Sequence, residues 1–279
     1  MEKSQTLIDR YAVVGYPVEH SRSPTIHQLF AKQTGESLSY ELLAAEPDDF
    51  ETAVRGFAAA GGKGLNVTVP HKEAAFELAN ELGPEAERAR AVNTLSLRSP
   101  TRIRGDNTDG IGFLRDLTHN NNLSLEGKRV LILGAGGAAR GILPPLLDAN
   151  LDELVLANRT VERAARLVEL FDAAEQLSIC PFEELGDKDP FDVVINATSA
   201  GIQGENPPFP PSCLSSRSFC YDLTYSLKQT PFVQWSRDHG AGKAVQGWGM
   251  LIEQAAESFA IWRGVRPETA PLLRQHANR

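Results

Sequence analysis

The stretch KRVLILGAGGAARGILPPLL (128–147) constrains this chain more than any other. An apolar run, VLIL, stops at GAGGAA, and an apolar helical pattern follows at once. The spacing fits G-x-G-x-x-[GA] in the setting that gives it meaning, between a strand and a helix. Gly134 permits the tight turn, Gly136 lets the backbone approach a pyrophosphate, and Ala139 lets the helix pack closely on the sheet. Free N–H groups at the helix start then face the phosphates. A plain strand-to-helix turn would also use glycine, but the flanking pattern favours nucleotide binding.

The end of the next strand bears on which dinucleotide. NAD sites place Asp or Glu about 20 residues past the glycines, on the ribose hydroxyls. Here, 24 to 26 residues beyond Gly134, the chain reads Asn158-Arg159-Thr160, with no carboxylate. An arginine there can pair with a 2′-phosphate and stack on adenine, and Arg163 is close enough to help. The alternative is a solvated arginine at a helix start. NADP is favoured over NAD.

Strands and helices alternate along the rest of the chain. YAVVGYPV reads as a strand, and SPTIHQLFAKQTG as a helix with Ser23 as N-cap, Pro24 at its first position and Gly35 at its exit. SLSYELLA is a strand, PDDFETAVRGFAAAGG a helix with Phe50, Val54 and Phe57 on one stripe, and NTLSLRSPTRIRGD a hairpin around Ser99-Pro100. After residue 128 come ELVLANRT, FDVVINATSAG and SFCYDLTY as strands and VERAARLVELF as a helix. The tail GWGMLIEQAAESFAIWRG is a helix with Leu251, Ala255, Phe259 and Trp262 facing a core. This alternation indicates an α/β architecture in two domains with largely parallel sheets. The most polar stretch, RGDNTDG through THNNN, places the boundary near residue 108.

The first domain carries an anomaly at LNVTVPHKEAA (65–75). Leu65, Val67 and Val69 alternate with Asn66 and Thr68, as in a strand with one apolar face. Pro70 breaks the strand, and Lys72 falls where the next helix begins. The first turn of a helix carries partial positive charge, so a lysine there is electrostatically misplaced. A nearby carboxylate would make sense of it, and Asp109 is the best candidate. A Lys–Asp pair facing a nicotinamide can move a proton as hydride moves. Ligands of open α/β sheets bind outside the carboxyl ends of strands. Asn66, Thr68, Lys72, Asn93 and Asp109 all end or follow strands there, and Ser21 and Ser23 follow the first one. Ser23 as a cap, and Asn93 and Asp106-Asn107 as turn residues, are the bland alternatives.

Composition narrows the partners. A formal net charge of −8 disfavours nucleic acid and anionic membranes as general partners, leaving a small-molecule substrate. Cys180, Cys213 and Cys220 include no C-x-x-C pair, which argues against a disulfide framework and a zinc site. The N-terminus is broken by charges where a signal peptide would be apolar, and no run reaches the ~18 apolar residues of a membrane span. The expectation is a cytoplasmic protein without metal.

As a set, the motifs HSRSP (20–24), LNVTVPHK (65–72), AVNT (91–94), GDNTDG (105–110), GAGGAAR (134–140), NRT (158–160), NATSAG (196–201), YDLTY (221–225) and GWGMLIEQA (247–255) strongly resemble the NADP-dependent shikimate dehydrogenase family. The resemblance implies an N-terminal α/β substrate domain (1–108), completed by C-terminal helices (247–279), and a Rossmann NADP domain (109–246). It implies reversible reduction of 3-dehydroshikimate to shikimate in aromatic amino-acid biosynthesis, by a monomer or homodimer. Lys72 and Asp109 become the catalytic pair. Ser21 and Ser23, with Tyr225, would hold the substrate carboxylate, while Asn66, Thr68, Asn93 and Gln254 read the ring hydroxyls. Gly134, Ala135, Gly136, Gly137, Ala138, Asn158, Arg159 and Thr160 would bind NADP, and Thr198, Leu223, Gly247 and Met250 line the nicotinamide side. Two departures stand out: Trp248 where the family usually has leucine, and Leu227 where a proline commonly follows the tyrosine. The rival readings are a quinate/shikimate dehydrogenase using NAD, which Arg159 argues against, and a catalytically silent NADP sensor, which has no reason to retain Lys72, Asp109 and the serines together. A folate or glutamyl-tRNA reductase relative would not explain SRSP.

Overall fold

The computed structural model describes residues 8–198 and 209–277, which form two compact units. One comprises the chain up to Asp109 together with Ile252–Arg274, and the other is built on Gly110–Leu251.

The first unit holds strands β1 (Asp9–Gly15), β2 (Leu38–Ala44), β3 (Gly62–Val67), β4 (Glu81–Leu82), β5 (Thr94–Ser99) and β6 (Arg102–Asp106), in the order β2-β1-β3-β5-β6-β4. β1 pairs in parallel with β2 and β3, and β4 with β6, whereas β5 runs antiparallel to both its neighbours. The short Ser99–Arg102 connection is the hairpin expected around Pro100. Period-2 alternation splits the core into two layers: Ala12 and Val14 face Phe50, Val54 and Phe57, while Tyr11 and Val13 face Tyr40. Those three residues of the helix Phe50–Ala59 are almost wholly buried, each contributing about 1.5–3 kcal/mol relative to exposure.

Two local expectations fail here. Ser23 is not the N-cap: the helix Ser23–Thr34 starts on it, Arg22 occupies the cap, and no side chain caps that end. Instead Ser21 Oγ accepts from the Ser23 N–H at 3.3 Å, an ST-turn that does a cap's work one step earlier. Gly35 closes the helix as expected, with φ +74° and its N–H donating to Ala31 O. Nor does the apolar alternation run through Val69. β3 ends at Val67, the chain turns outward with Tyr16 N–H donating to Val69 O, and Val69 is 62% exposed. The tail helix Trp248–Arg263 buries Ala255 and Phe259 fully, but also Ile252 and Ala256, while Leu251 and Trp262 are only half-buried.

His27 lies wholly buried on the helix Ser23–Thr34, stacked on Tyr40 with ring centroids 4.3 Å apart. Burial lowers its pKa from 6.5 to about 3, and Asn66 offsets only part of this. The unfolded chain therefore takes up a proton that the folded chain refuses between about pH 6.5 and 3. Stability is fully present above that window and is lost as pH falls through it, by about a few kcal/mol. His27→Phe is expected to flatten the plot of urea midpoint against pH across this range. A slope equal to the parent's would remove His27 as the origin of the acid sensitivity.

The second unit holds β7 (Arg129–Leu133), β8 (Glu153–Ala157), β9 (Ser178–Cys180), β10 (Val193–Asn196), β11 (Phe219–Asp222) and β12 (Lys243–Gln246). All pairs are parallel, in the order β12-β11-β10-β7-β8-β9. Numbered within the unit, that is 3-2-1-4-5-6, the doubly wound order whose switch point lies at the end of the first strand, here β7. Val130 and Ile132 pack into one core and Leu131 and Leu133 into the other, because helices cover both faces of a parallel sheet. Both units are thus α/β, and the second is a Rossmann-type fold. Among the described residues no helix is long and apolar enough to cross a membrane.

Candidate active site

The topology of the first sheet gathers the candidate residues at one edge. β1 and β3 end side by side, with Thr68 N–H donating to Val14 O at 2.9 Å. β5 is antiparallel, so its start lies where β3 and β6 finish, and Asn66, Thr94 and Asp106 are in register across the three strands. Ser21 and Ser23 follow β1, Thr68 and Lys72 follow β3, Asn93 precedes β5, and Asp109 follows β6.

Lys72 is the first residue of the helix Lys72–Leu78. Its Nζ donates to Asp109 Oδ2 at 2.6 Å, and the two side chains are 17% and 7% exposed. The carboxylate supplies the negative charge that the helix start withholds. Asp109 Oδ1 accepts from Asn93 Nδ2 at 2.9 Å, so each carboxylate oxygen has its own donor. The Asp109 backbone is fixed by its N–H donating to Asn107 Oδ1, while Asn107 Nδ2 donates to Ala91 O. Gln254 Oε1, on the C-terminal helix, lies 3.3 Å from Asn93 Nδ2. Asn66 is 6% exposed and spends its amide on internal partners, accepting from Tyr40 Oη at 2.7 Å and donating to Ser258 Oγ at 2.9 Å. The Ser21 hydroxyl donates to Ser23 Oγ at 3.2 Å; Ser23 is buried and Ser21 half-buried. A charged, nearly dry Lys–Asp pair with one lysine face left toward solvent can donate a proton to a bound oxygen.

A separate open depression of about 530 Å³ on the same unit touches Lys63, Arg98, Arg104 and Arg263. It lies toward the other ends of the strands. Three of its four cations already face acids: Arg98 with Glu81, Arg104 with Asp106, and Arg263 with Asp9 and Glu36.

In the second unit the glycine turn has the form its spacing requires. Gly134 adopts φ +99°, and a Cβ there would sit 2.9 Å from Thr198 Cγ2, so a side chain is excluded twice over. Around Gly136 and Gly137 nothing would meet a Cβ within 4 Å, which leaves the backbone open to a ligand. The helix Gly137–Leu147 has no acidic residue in its first turn, and Ala139 is fully buried beneath it. Asn158 Oδ1 accepts from the Ala135 N–H at 3.1 Å, tying the turn to the end of β8, where Arg159, Thr160 and Arg163 are exposed. These residues fit a dinucleotide carrying an extra phosphate.

Asp222, at the end of β11, organises the adjacent loops. Its Oδ1 accepts from Asn196 Nδ2, the Thr224 N–H and Thr224 Oγ1, while Asn196 Oδ1 accepts from Thr198. Burial raises the Asp222 pKa, and these hydrogen bonds oppose the rise. The loops carrying Thr198, Leu223 and Tyr225 are thus held by one carboxylate. Gly247 closes against them: a Cβ there would lie 2.6 Å from Leu223 O, and Met250 follows half-buried on the helix. Tyr225 stands in this unit with its ring centroid 4.7 Å from that of Trp248, whose Nε1 donates to Ser226 O. Leu227 is 57% exposed. Ser199, Ala200 and Gly201 of NATSAG lie outside the described residues.

Sequence reasoning missed Tyr40, Thr94, Thr108, Asp222 and Ser258. Thr94, Thr108 and Asp222 sat inside quoted motifs, but only the fold shows that their side chains tie distant segments together.

Three family models match the chain in order: the shikimate dehydrogenase substrate binding domain over residues 13–95, shikimate / quinate 5-dehydrogenase over 116–203, and the shikimate 5′-dehydrogenase C-terminal domain over 247–275. A shikimate dehydrogenase (NADP(+)) of Alkalilimnicola ehrlichii is 57% identical, covering 96% of this chain and 98% of its own. An Ael1 enzyme from Pseudomonas putida has a crystal structure with TM-score 0.86 at 46% identity, covering 96% and 97%. The shikimate 5-dehydrogenase of Thermus thermophilus, in complex with NADP(H) and shikimate, has TM-score 0.84 at 32% identity, covering 97% and 99%. On this evidence of motif order, fold and near full-length identity, the chain belongs to the shikimate dehydrogenase family.

Proposed function

We propose that this protein reversibly reduces 3-dehydroshikimate to shikimate with NADPH, a step of aromatic amino-acid biosynthesis. The observation that carries the reading is the buried Lys72–Asp109 pair at the carboxyl edge of the first sheet. NADPH, when bound, supplies the hydride. Lys72 Nζ gives its proton to the ketone oxygen as that oxygen gains charge, and Asp109 keeps the ammonium aimed at it. Ser21, Ser23 and the Tyr225 hydroxyl take the substrate carboxylate, and Thr68 and Gln254 the ring hydroxyls, while Asn66 and Asn93, whose amides are spent on internal partners, stand behind them. Residues 1–108 with the C-terminal helices serve the substrate, and 109–246 the cofactor. There Gly134 to Ala138 take the pyrophosphate through backbone N–H groups. Arg159, with Thr160 and Arg163, takes the 2′-phosphate; Asn158 braces the turn, and Thr198, Leu223, Gly247 and Met250 border the nicotinamide. We place the protein in the cytoplasm as a monomer or homodimer acting on small molecules. Its three buried, unpaired cysteines and net charge of −8 support that setting.

The test is to give purified protein 3-dehydroshikimate with NADPH or NADH and follow loss of reduced cofactor. Fast turnover with NADPH and slow turnover with NADH is expected. Preference for NADH would favour the quinate/shikimate alternative, and no turnover with either would favour a silent sensor.

A further inference from the structure

Behind Asp109 stands Asn93, whose amide could present either its nitrogen or its oxygen to the carboxylate. The surrounding donors decide between them. The Thr108 backbone N–H can only donate, and it lies 2.9 Å from Asn93 Oδ1. The oxygen must therefore face Thr108, which leaves the two Nδ2 hydrogens for Thr108 Oγ1 and Asp109 Oδ1, each at 2.9 Å. A second donor to that oxygen is the Thr94 hydroxyl, at 2.8 Å. Having given its only hydrogen to Asn93, Thr94 Oγ1 must accept, and Ser258 Oγ lies 2.8 Å from it. Ser258 Oγ accepts from Asn66 Nδ2 at 2.9 Å, and Asn66 Oδ1 accepts from the Tyr40 hydroxyl at 2.7 Å. Thr94 and Ser258 are fully buried, and Tyr40, Asn66 and Asn93 nearly so. Ser258 Oγ has one hydrogen to offer, with Thr94 Oγ1 at 2.8 Å and the Gln254 backbone O at 3.0 Å as its acceptors, and Asn66 Nδ2 also reaches Thr94 Oγ1 at 3.3 Å, so the line runs from β2 toward the carboxylate with a branch at Ser258.

We propose that the chain Tyr40–Asn66–Ser258–Thr94–Asn93 is a positioning relay that locks the Asp109 carboxylate against Lys72, with Thr94 and Ser258 as positioning residues that do not touch substrate. The proposal rests on the assignment of Lys72 and Asp109 as the reacting pair. With Oδ1 held by Asn93, Oδ2 is turned to the lysine, and the ammonium is kept on that side of the carboxylate. A constellation of this kind works only if its supporting side chains are themselves fixed. Four segments, β2, β3, β5 and the C-terminal helix, meet in the relay, which gives the returning helix a part in the chemistry through Ser258.

Thr94→Val keeps the side-chain shape and removes the hydroxyl, whereas Thr94→Ser keeps the hydroxyl and removes the methyl. Thr94→Val is expected to lower kcat for 3-dehydroshikimate reduction about tenfold, with KM changed less than about twofold, and Thr94→Ser to stay within about twofold of the parent. A packing role would give the reverse order, sparing Thr94→Val, which keeps the shape, and lowering kcat in Thr94→Ser, which loses the methyl. Equal kcat in Thr94→Val and the parent, equal losses in both variants, or an effect confined to KM would each overturn the relay. Should Thr94→Val not fold, Ser258→Ala takes its place, with the same loss in kcat expected and unchanged kcat overturning the proposal. The parent's own turnover separates the two levels. Its absence rejects the assigned reaction and the relay with it, whereas normal parental turnover beside an unaffected Thr94→Val rejects the relay alone.

Discussion

Lys72→Ala is expected to lower kcat by roughly 10²–10⁴-fold, the span associated with a positioned proton donor. The loss should fall on kcat, with a smaller change in KM, because the ammonium does most for the oxygen as its charge develops. The substitution also strands a carboxylate. Asp109 is 7% exposed on its side chain, and removing one partner of a buried pair costs about 3–5 kcal/mol when nothing replaces it. Two features reduce that cost here: Asn93 still donates to Oδ1, and the vacated lysine volume opens toward solvent. The variant should therefore fold with a lower thermal midpoint, and kcat is to be taken well below it. Near-parental turnover in a folded Lys72→Ala protein would remove Lys72 from the mechanism.

Arg159→Ala is expected to raise KM for NADPH roughly ten- to a hundredfold and to leave KM for NADH within about twofold. The size follows from one or two charge-assisted hydrogen bonds to a phosphate, about 1.5–3 kcal/mol. The asymmetry follows from the absence of that phosphate in NADH. Arg159 is exposed and no carboxylate stands in the Asn158–Thr160 segment, so its loss should cost little stability. Equal effects on both cofactors would mean that Arg159 does not see the 2′-phosphate, and Arg163 would then be the next residue to replace.

The parts of the molecule legible from sequence are those whose cause is local. The strand, turn and helix around Gly134 follow from apolar periodicity and from a backbone angle that only glycine adopts cheaply, and the structure has that angle at +99°. Phe50, Val54 and Phe57 share a helix face for the same local reason. Lys72 was conspicuous because its conflict with the helix start is also local. What brings Lys72 within 2.6 Å of a residue 37 positions away is sheet register, which no spacing expresses. The same holds for the Asn93–Thr94–Ser258 line, where Ser258 looks like any serine on a helix and its partner lies 164 residues earlier. Short elements such as β9, β12 and the helix Pro231–Asp238 went unread because three to eight residues hold too little periodicity. A serine before a proline signals a cap statistically, but at Ser23 the turn is already supplied by Ser21.

Lys72 and Asp109 are expected to converge on the oxygen that gains or loses the proton. A crystal structure of the shikimate complex tests it most directly. One ring hydroxyl, on the carbon that exchanges hydride, is expected within about 3.2 Å of both Lys72 Nζ and an Asp109 oxygen. Shikimate bound with that hydroxyl turned away from the pair, or held elsewhere on the molecule, would contradict it.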